Sequence, residues 1–195
     1  MNDVLLEIGK NKRARSIVQA LGLPLPLPAA LARDKGPWQE RPLADRLIAV
    51  TATEKSQLVP VLARALAAAG ADVMWKGPDA LFSVFAGPGE AFGRPARLLD
   101  TLADGKRVAA VVVDATGIGD IAGLRSLYDL LHPLVGRIER SGRVVVLGSE
   151  ARADAEASAA QAALEGFVRS VAKEIGRNGA TANLVRVAPG AEERV

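Results

Sequence analysis

Residues 143–190 read RVVVLGSEARADAEASAAQAALEGFVRSVAKEIGRNGATANLVRVAPG, and their patterning decides the fold. Val144 to Leu147 form a continuous apolar run, as a strand covered on both faces requires. Leu164, Phe167, Val168, Val171 and Ile175 then recur at intervals of three and four, which puts them on one side of a helix. Asn178 and Gly179 supply a helix stop, and Thr181 to Val187 form a second strand. Strand, helix and strand in this order predict a parallel pair joined by a right-handed crossover.

The same alternation extends upstream. Leu47 to Val50, Asp72 to Trp75 and Val108 to Asp114 read as strands, the last (VAAVVVD) as one buried on both faces. Ser56 is placed to cap a helix that runs through Ala69 and stops at Gly70, with Pro60 in its first turn. Leu81 to Phe85 is expected as a further strand and Pro95 to Ala103 as a short helix. Leu124, Leu127, Tyr128, Leu131, Leu134, Val135 and Ile138 define a helix over 124–138. The expected fold is α/β: a doubly wound parallel sheet of Rossmann or flavodoxin type, in three layers.

Residues 1–45 read differently, as a helical arm and a Pro-rich linker ahead of a domain at 46–195. Val4, Leu5, Ile8, Ile17, Val18 and Leu21 predict an amphipathic helix ending at Gly22. LPLPLP, Leu23 to Pro28, forbids helix and sheet and favours a stiff extended spacer. Ala29 to Arg33 is expected as one more turn, and Gly36-Pro37 and Arg41-Pro42 mark a loop.

Composition narrows the function. The net charge is +3 and the basic residues are dispersed. The one basic cluster, Lys10, Lys12, Arg13 and Arg15, sits next to Asp3 and Glu7 and reads as a solvated helix face, so no nucleic-acid partner is expected. With no cysteine and one histidine, neither a disulfide framework nor a structural metal site is expected. No apolar run approaches the roughly 20 residues of a membrane span, and the charged start does not read as a signal peptide. No membrane partner and a cytoplasmic location are the expectation.

The opening stretch resembles the C-terminal half of a short-chain dehydrogenase/reductase of the 3-oxoacyl-acyl-carrier-protein reductase type. In that family a strand ends in a catalytic Ser, a helix carries Tyr-x-x-x-Lys, and a strand ends in a Pro-Gly turn. Ser149 and Pro189-Gly190 match. Gly166-Phe167 matches the family's Gly-Phe, and counting back from it places the Tyr position at Ala157 and the Lys position at Gln161. The chain's single tyrosine, Tyr128, precedes Ser149, and the lone lysine after Ser149 is Lys173, beyond Phe167. The family's chemistry uses a phenol as general acid, its pKa lowered by a neighbouring ammonium. Both groups are missing, so Ser149 is vestigial and no catalytic residue is expected.

The cofactor loop departs in the same way. The family's Thr-Gly-x-x-x-Gly-x-Gly follows its first strand, and its glycines let backbone approach a pyrophosphate. Here Thr51 to Leu58 reads TATEKSQL, with Ala52, Ser56 and Leu58 at the glycine positions and Glu54 adding negative charge. No cofactor is expected for this chain. A second reading takes Thr51-x-Thr53-x-x-Ser56 as resembling the hydroxyl-lined phosphate loop of flavodoxins. Thr51, Thr53, Lys55 and Ser56 are then candidate ligands of flavin mononucleotide or another phosphate. Asp114, in DATG where the family has Asn-Asn-Ala-Gly, is a lone carboxylate read as a turn cap. His132 is read as a packing or interface residue.

Taken together, the chain is similar to the N-terminal, flavodoxin-like domain of the high-molecular-weight 3-oxoacyl-acyl-carrier-protein reductases, in which a degenerate domain precedes a complete catalytic one. The resemblance implies a parent that reduces 3-oxoacyl thioesters with NAD(P)H in fatty acid biosynthesis. It implies a structural, assembling role for this piece, partnered by the parent's C-terminal reductase domain. It also implies a homodimer through helices 124–138 and 159–175. There Ala159, Ala160, Ala162 and Ala163 would permit close packing, and a charge at Leu131 would disturb it. In the family a substrate lid and a last strand follow the Pro-Gly turn; here AEERV follows, so the sheet is expected without that strand. A third reading is a standalone pseudoenzyme that binds an acyl-carrier protein through arginines such as Arg137, Arg140 and Arg169.

Overall fold

Buried β-branched runs have one economical solution, a parallel sheet with helices on both faces. The computed structural model, which describes residues 8, 9, 11–22, 36–150 and 154–194, has this architecture. Its elements are α1 (Lys12–Ala20), β1 (Leu47–Ala52), α2 (Val59–Ala68), β2 (Asp72–Lys76), α3 (Asp79–Ala91), β3 (Arg97–Leu98), β4 (Val108–Asp114), α4 (Leu124–Val135), β5 (Ile138–Ser149), α5 (Ala155–Ile175) and β6 (Thr181–Val187). The strands pair in parallel throughout, in the order β3-β2-β1-β4-β5-β6.

Two apolar clusters hold the layers. On one face α4 and α5 bury Leu127, Leu131, Leu134, Leu164, Val168 and Val171 against Val111, Val113, Val144 and Val146. On the other, α2 and α3 bury Leu58, Leu62 and Phe85 against Ile48, Val50, Trp75 and Val112. Each fully buried Leu, Ile or Phe contributes about 1.5–3 kcal/mol relative to exposure. The β4 and β6 boundaries coincide with the expected runs Val108–Asp114 and Thr181–Val187. Gly179 ends the α5 segment at φ 69°, a left-handed value that favours glycine.

Several expectations are corrected. Leu81 to Phe85 lies in α3, not in a strand. The extended Pro78 starts that helix with Asp79 in its first turn, and Phe85 stacks on Trp75 with ring centroids 5.2 Å apart. Residues 95–103 form no α-helix: β3 pairs with Met74 and Trp75, and a 3-10 turn follows at Leu99–Thr101. Ile138 does not extend α4, which stops before Gly136; it opens β5, opposite Val108. The first helix is interrupted by Asn11, whose Oδ1 accepts the N–H groups of Arg13 and Ala14 and so starts α1 afresh. Val4 and Leu5, the LPLPLP segment and the turn at 29–33 lie outside the described residues. Leu43 packs on the α2/α3 cluster and donates its N–H to Ala69 O. Among the described residues no helix is long and apolar enough to cross a membrane.

Candidate functional site

In a sheet of this order the direction of winding reverses between β1 and β4, and ligands of such folds bind above the carboxyl ends of those strands. Ala52 and Asp114 are register partners there. Three segments converge on this point: 53–58, 114–123 and 148–150.

The first segment is knotted to itself and to β4. Thr53 N–H donates to Ser56 Oγ at 2.9 Å, and Ser56 Oγ donates to Asp114 O at 2.7 Å. That uses the serine's one proton, so in the 3.1 Å contact between Thr53 Oγ1 and Ser56 Oγ the threonine is the donor. Ser56 therefore does not cap α2, as the sequence suggested; the N-cap position is Leu58, and no side chain of its own segment caps it. The cap comes from across the sheet. Leu58 N–H donates to Asp114 Oδ2 at 2.8 Å, and Gln57 N–H donates to Thr116 Oγ1 at 3.1 Å.

Asp114 is the hub of the site. It is fully buried. Besides Leu58 N–H it accepts Thr116 N–H at 3.1 Å and Thr116 Oγ1–H at 2.6 Å on Oδ1, so it does cap the turn that follows it. Burial pushes its carboxyl above the ordinary carboxylate value, outweighing the donors that hold it down. A helix N-terminus is a natural anion site, and here the anion is internal.

Of the candidate phosphate ligands, Thr53 and Lys55 line one open cleft of about 270 Å³ together with Glu54 and Asp120, whereas Thr51 and Ser56 do not reach it. Thr51 is a buried residue of β1, and its Oγ1 meets no partner. Ser56 turns inward, onto Asp114 O. Lys55 is exposed. Gly117 closes the gap from the other side: a Cβ on it would collide with the backbone of Lys55 and Ser56 and with Thr53 Oγ1. Segments 53–58 and 114–123 are thus in backbone contact where a dinucleotide would thread. These residues do not fit a nicotinamide dinucleotide in the manner of a glycine-rich loop.

The second half of the site centres on Gln161, the residue that the sequence resemblance sets at the family's lysine position. Its side chain is fully buried. Oε1 accepts Ser149 N–H at 2.9 Å, while Nε2 donates to Ala115 O at 3.0 Å and Ile118 O at 2.7 Å. One amide thus ties the ends of β4 and β5 to α5. Gly148 makes room for it: a Cβ there would stand 3.0 Å from Gln161 Oε1 and 2.8 Å from Leu164 Cδ1. Ala157, which the same resemblance sets at the tyrosine position, is buried one turn earlier, in the turn that Asp154 caps through the Ala157 N–H at 2.9 Å. Ser149 Oγ is buried without a hydrogen-bond partner, so no base activates it. Among the described residues no group of His, Cys, Asp or Glu is disposed to hold a metal ion. The sequence resemblance marks Gln161 only by the lysine it lacks. The signal that could have found it is a polar residue in the buried register of Ala157, Ala160, Leu164, Val168 and Val171.

No family model matches the sequence, and no curated protein does. Solved structures do. BdcA, a protein of E. coli, in its complex with NADPH, superposes with TM-score 0.55 at 16% identity, over 74% of this chain and 70% of that one. A short-chain dehydrogenase of Shigella flexneri in complex with NADP gives 0.58 at 18%, over 77% and 80%. The promiscuous reductase LugOII of lugdunomycin biosynthesis gives 0.61 at 19%, over 78% and 86%. The fold is that of the short-chain dehydrogenases/reductases.

Proposed function

We propose that this chain is a non-catalytic, structural domain of a 3-oxoacyl-acyl-carrier-protein reductase, and that it serves assembly with the parent's NAD(P)H-dependent catalytic domain in the cytoplasm. The observation that carries this reading is Gln161. The residue at the lysine position has both polar atoms of its amide committed to backbone, so it holds the site together and offers nothing to a substrate. Ala157 leaves the acid missing, and the Asp114 carboxylate occupies the helix end that a pyrophosphate would need.

The partner surface on this reading is the outer side of α4 and α5. Ala159, Ala162, Ala163 and Gly166 are exposed along α5. On α4, Tyr128 is 52% exposed and stacks on the exposed His132 with centroids 4.7 Å apart. Two residues leave the set read from the sequence. Leu131 is 1% exposed and belongs to the core, and Ala160 is buried as well.

The test is calorimetric titration of the purified chain with NADH, NADPH and flavin mononucleotide, together with an assay for reduction of a 3-oxoacyl thioester. No heat of binding and no turnover are expected. Binding of a nicotinamide cofactor with turnover would overturn the reading; binding of the flavin alone would replace it with a flavodoxin-like one.

A further inference from the structure

Six ion pairs join described residues, and their arginines are Arg46, Arg64, Arg94, Arg125 and Arg169. A different set of arginines gathers at the opposite pole of the sheet, below the amino ends of the strands. Arg15 of α1, Arg107 just before β4, Arg140 near the start of β5 and Arg177 after α5 wall one cavity of about 310 Å³, with Asn178 as its other lining residue. Among the described residues no carboxylate lines it.

The ordinary reason for arginines here would be the carbonyl ends of α4 and α5, which carry partial negative charge. Arg107 performs that duty: its Nη1 donates to Gly136 O at 3.3 Å and Ile138 O at 3.2 Å. The neighbouring Arg137 likewise spends its fork on the carbonyls of Leu102, Ala103 and Lys106. The side chains of Arg15, Arg140 and Arg177 make no hydrogen bond and no ion pair with any described residue. Three such guanidinium groups from three separate elements converge on one concave space beside a fourth that is held in place by backbone. Like charges gathered without a counter-charge repel, and an external anion would relieve that.

We propose that this cavity binds a compact polyanion of the phosphate class. Planar guanidinium forks match phosphate oxygens two at a time. The volume sits at the small end of ligand pockets, roughly 300–1,000 Å³, which suits a few linked phosphate groups and not a folded partner. The site is independent of the switch-point region and of the function proposed above.

The experiment is calorimetric titration of the full chain with inorganic tripolyphosphate, with sodium sulfate at matched ionic strength as the control. It is repeated on the R140Q/R177Q double variant and on R169Q, which removes a charge elsewhere. Arg140 and Arg177 are exposed and their side chains bond to no described residue, so the double variant is expected to melt where the parent does. The expected result is saturable binding of tripolyphosphate, weakened at least tenfold in the double variant and unchanged in R169Q. Equal affinity in parent and double variant, or sulfate binding as tight as tripolyphosphate, would overturn the proposal. So would retention of an acidic protein by these arginines with no response to tripolyphosphate.

Discussion

Gln161 Oε1 accepts the backbone N–H of Ser149 at 2.9 Å, tying α5 to the end of β5. The same amide donates to Ala115 O and Ile118 O. Gln161→Met keeps the length and bulk of the side chain and deletes all three bonds. It leaves one buried N–H and two buried carbonyls to find new partners, at about 1–3 kcal/mol for each that fails. A loss of about 2–4 kcal/mol in denaturant unfolding is expected. A variant as stable as the parent would show that the amide is incidental.

Asp114 gives stability an unusual dependence on pH. Its folded pKa lies above its ordinary value of 3.8, so between those two values the native state holds a proton that the unfolded chain has released. Stability contributed by this group is therefore full below 3.8 and falls as pH rises through the raised value. Asp114→Asn removes the titration and sets an amide N–H₂ against the N–H groups of Leu58 or Thr116. The stability gap between parent and variant is expected to narrow as pH climbs through that window, by about 1.4 kcal/mol for each pH unit that separates the folded from the unfolded pKa. Chemical denaturation of both proteins across the acid range measures it; a gap independent of pH would refute the raised pKa.

The sheet was legible and the site was half legible, for one physical reason. Strands buried on both faces must be apolar along their length, so VAAVVVD and LIAV announce themselves without any knowledge of the fold. Leu81 to Phe85 does not, because a short apolar run suits strand and helix alike. What decides it is the seat of Phe85 on Trp75, a contact between elements. The missing Tyr and Lys could be read by inspection, since absent residues cannot be restored by a shift of alignment. What replaces them could not. Ser56 looks like a helix cap locally, yet its proton goes to Asp114 O, 58 residues away. Asp114 looks like a lone turn former, yet it caps α2 across the sheet. Both bonds exist only once β1 and β4 are side by side.

Gly117 tests whether the two loops at the switch point are truly shut. Its missing Cβ is filled by the backbone of Lys55 and Ser56. Backbone yields less readily than a side chain tip, so Gly117→Ala is expected to destabilise by at least about 1–3 kcal/mol, the range for overpacking. Gly119 is the control: a Cβ there meets nothing within 4 Å, and Gly119→Ala is expected to leave the melting temperature within about a degree or two, as uncrowded surface changes do. Equal melting of the two variants would mean the loops part easily.

The outer face of α4 and α5 carries the last prediction. Charge at Leu131 would unfold the core before it told anything about assembly, because that side chain is buried among Leu127, Leu134 and the β4–β5 valines. Tyr128 and Ala162 are the informative positions: both are exposed, and neither belongs to a core cluster. Tyr128→Glu and Ala162→Glu are expected to preserve the far-ultraviolet circular dichroism spectrum. If these helices form the contact, each also places a carboxylate in a packed, water-poor seam, where a charge without a partner costs several kcal/mol. Self-association, or docking to a catalytic reductase domain, should then weaken at least tenfold in sedimentation velocity. Sedimentation identical to the parent for both variants would move the assembly surface elsewhere on the molecule.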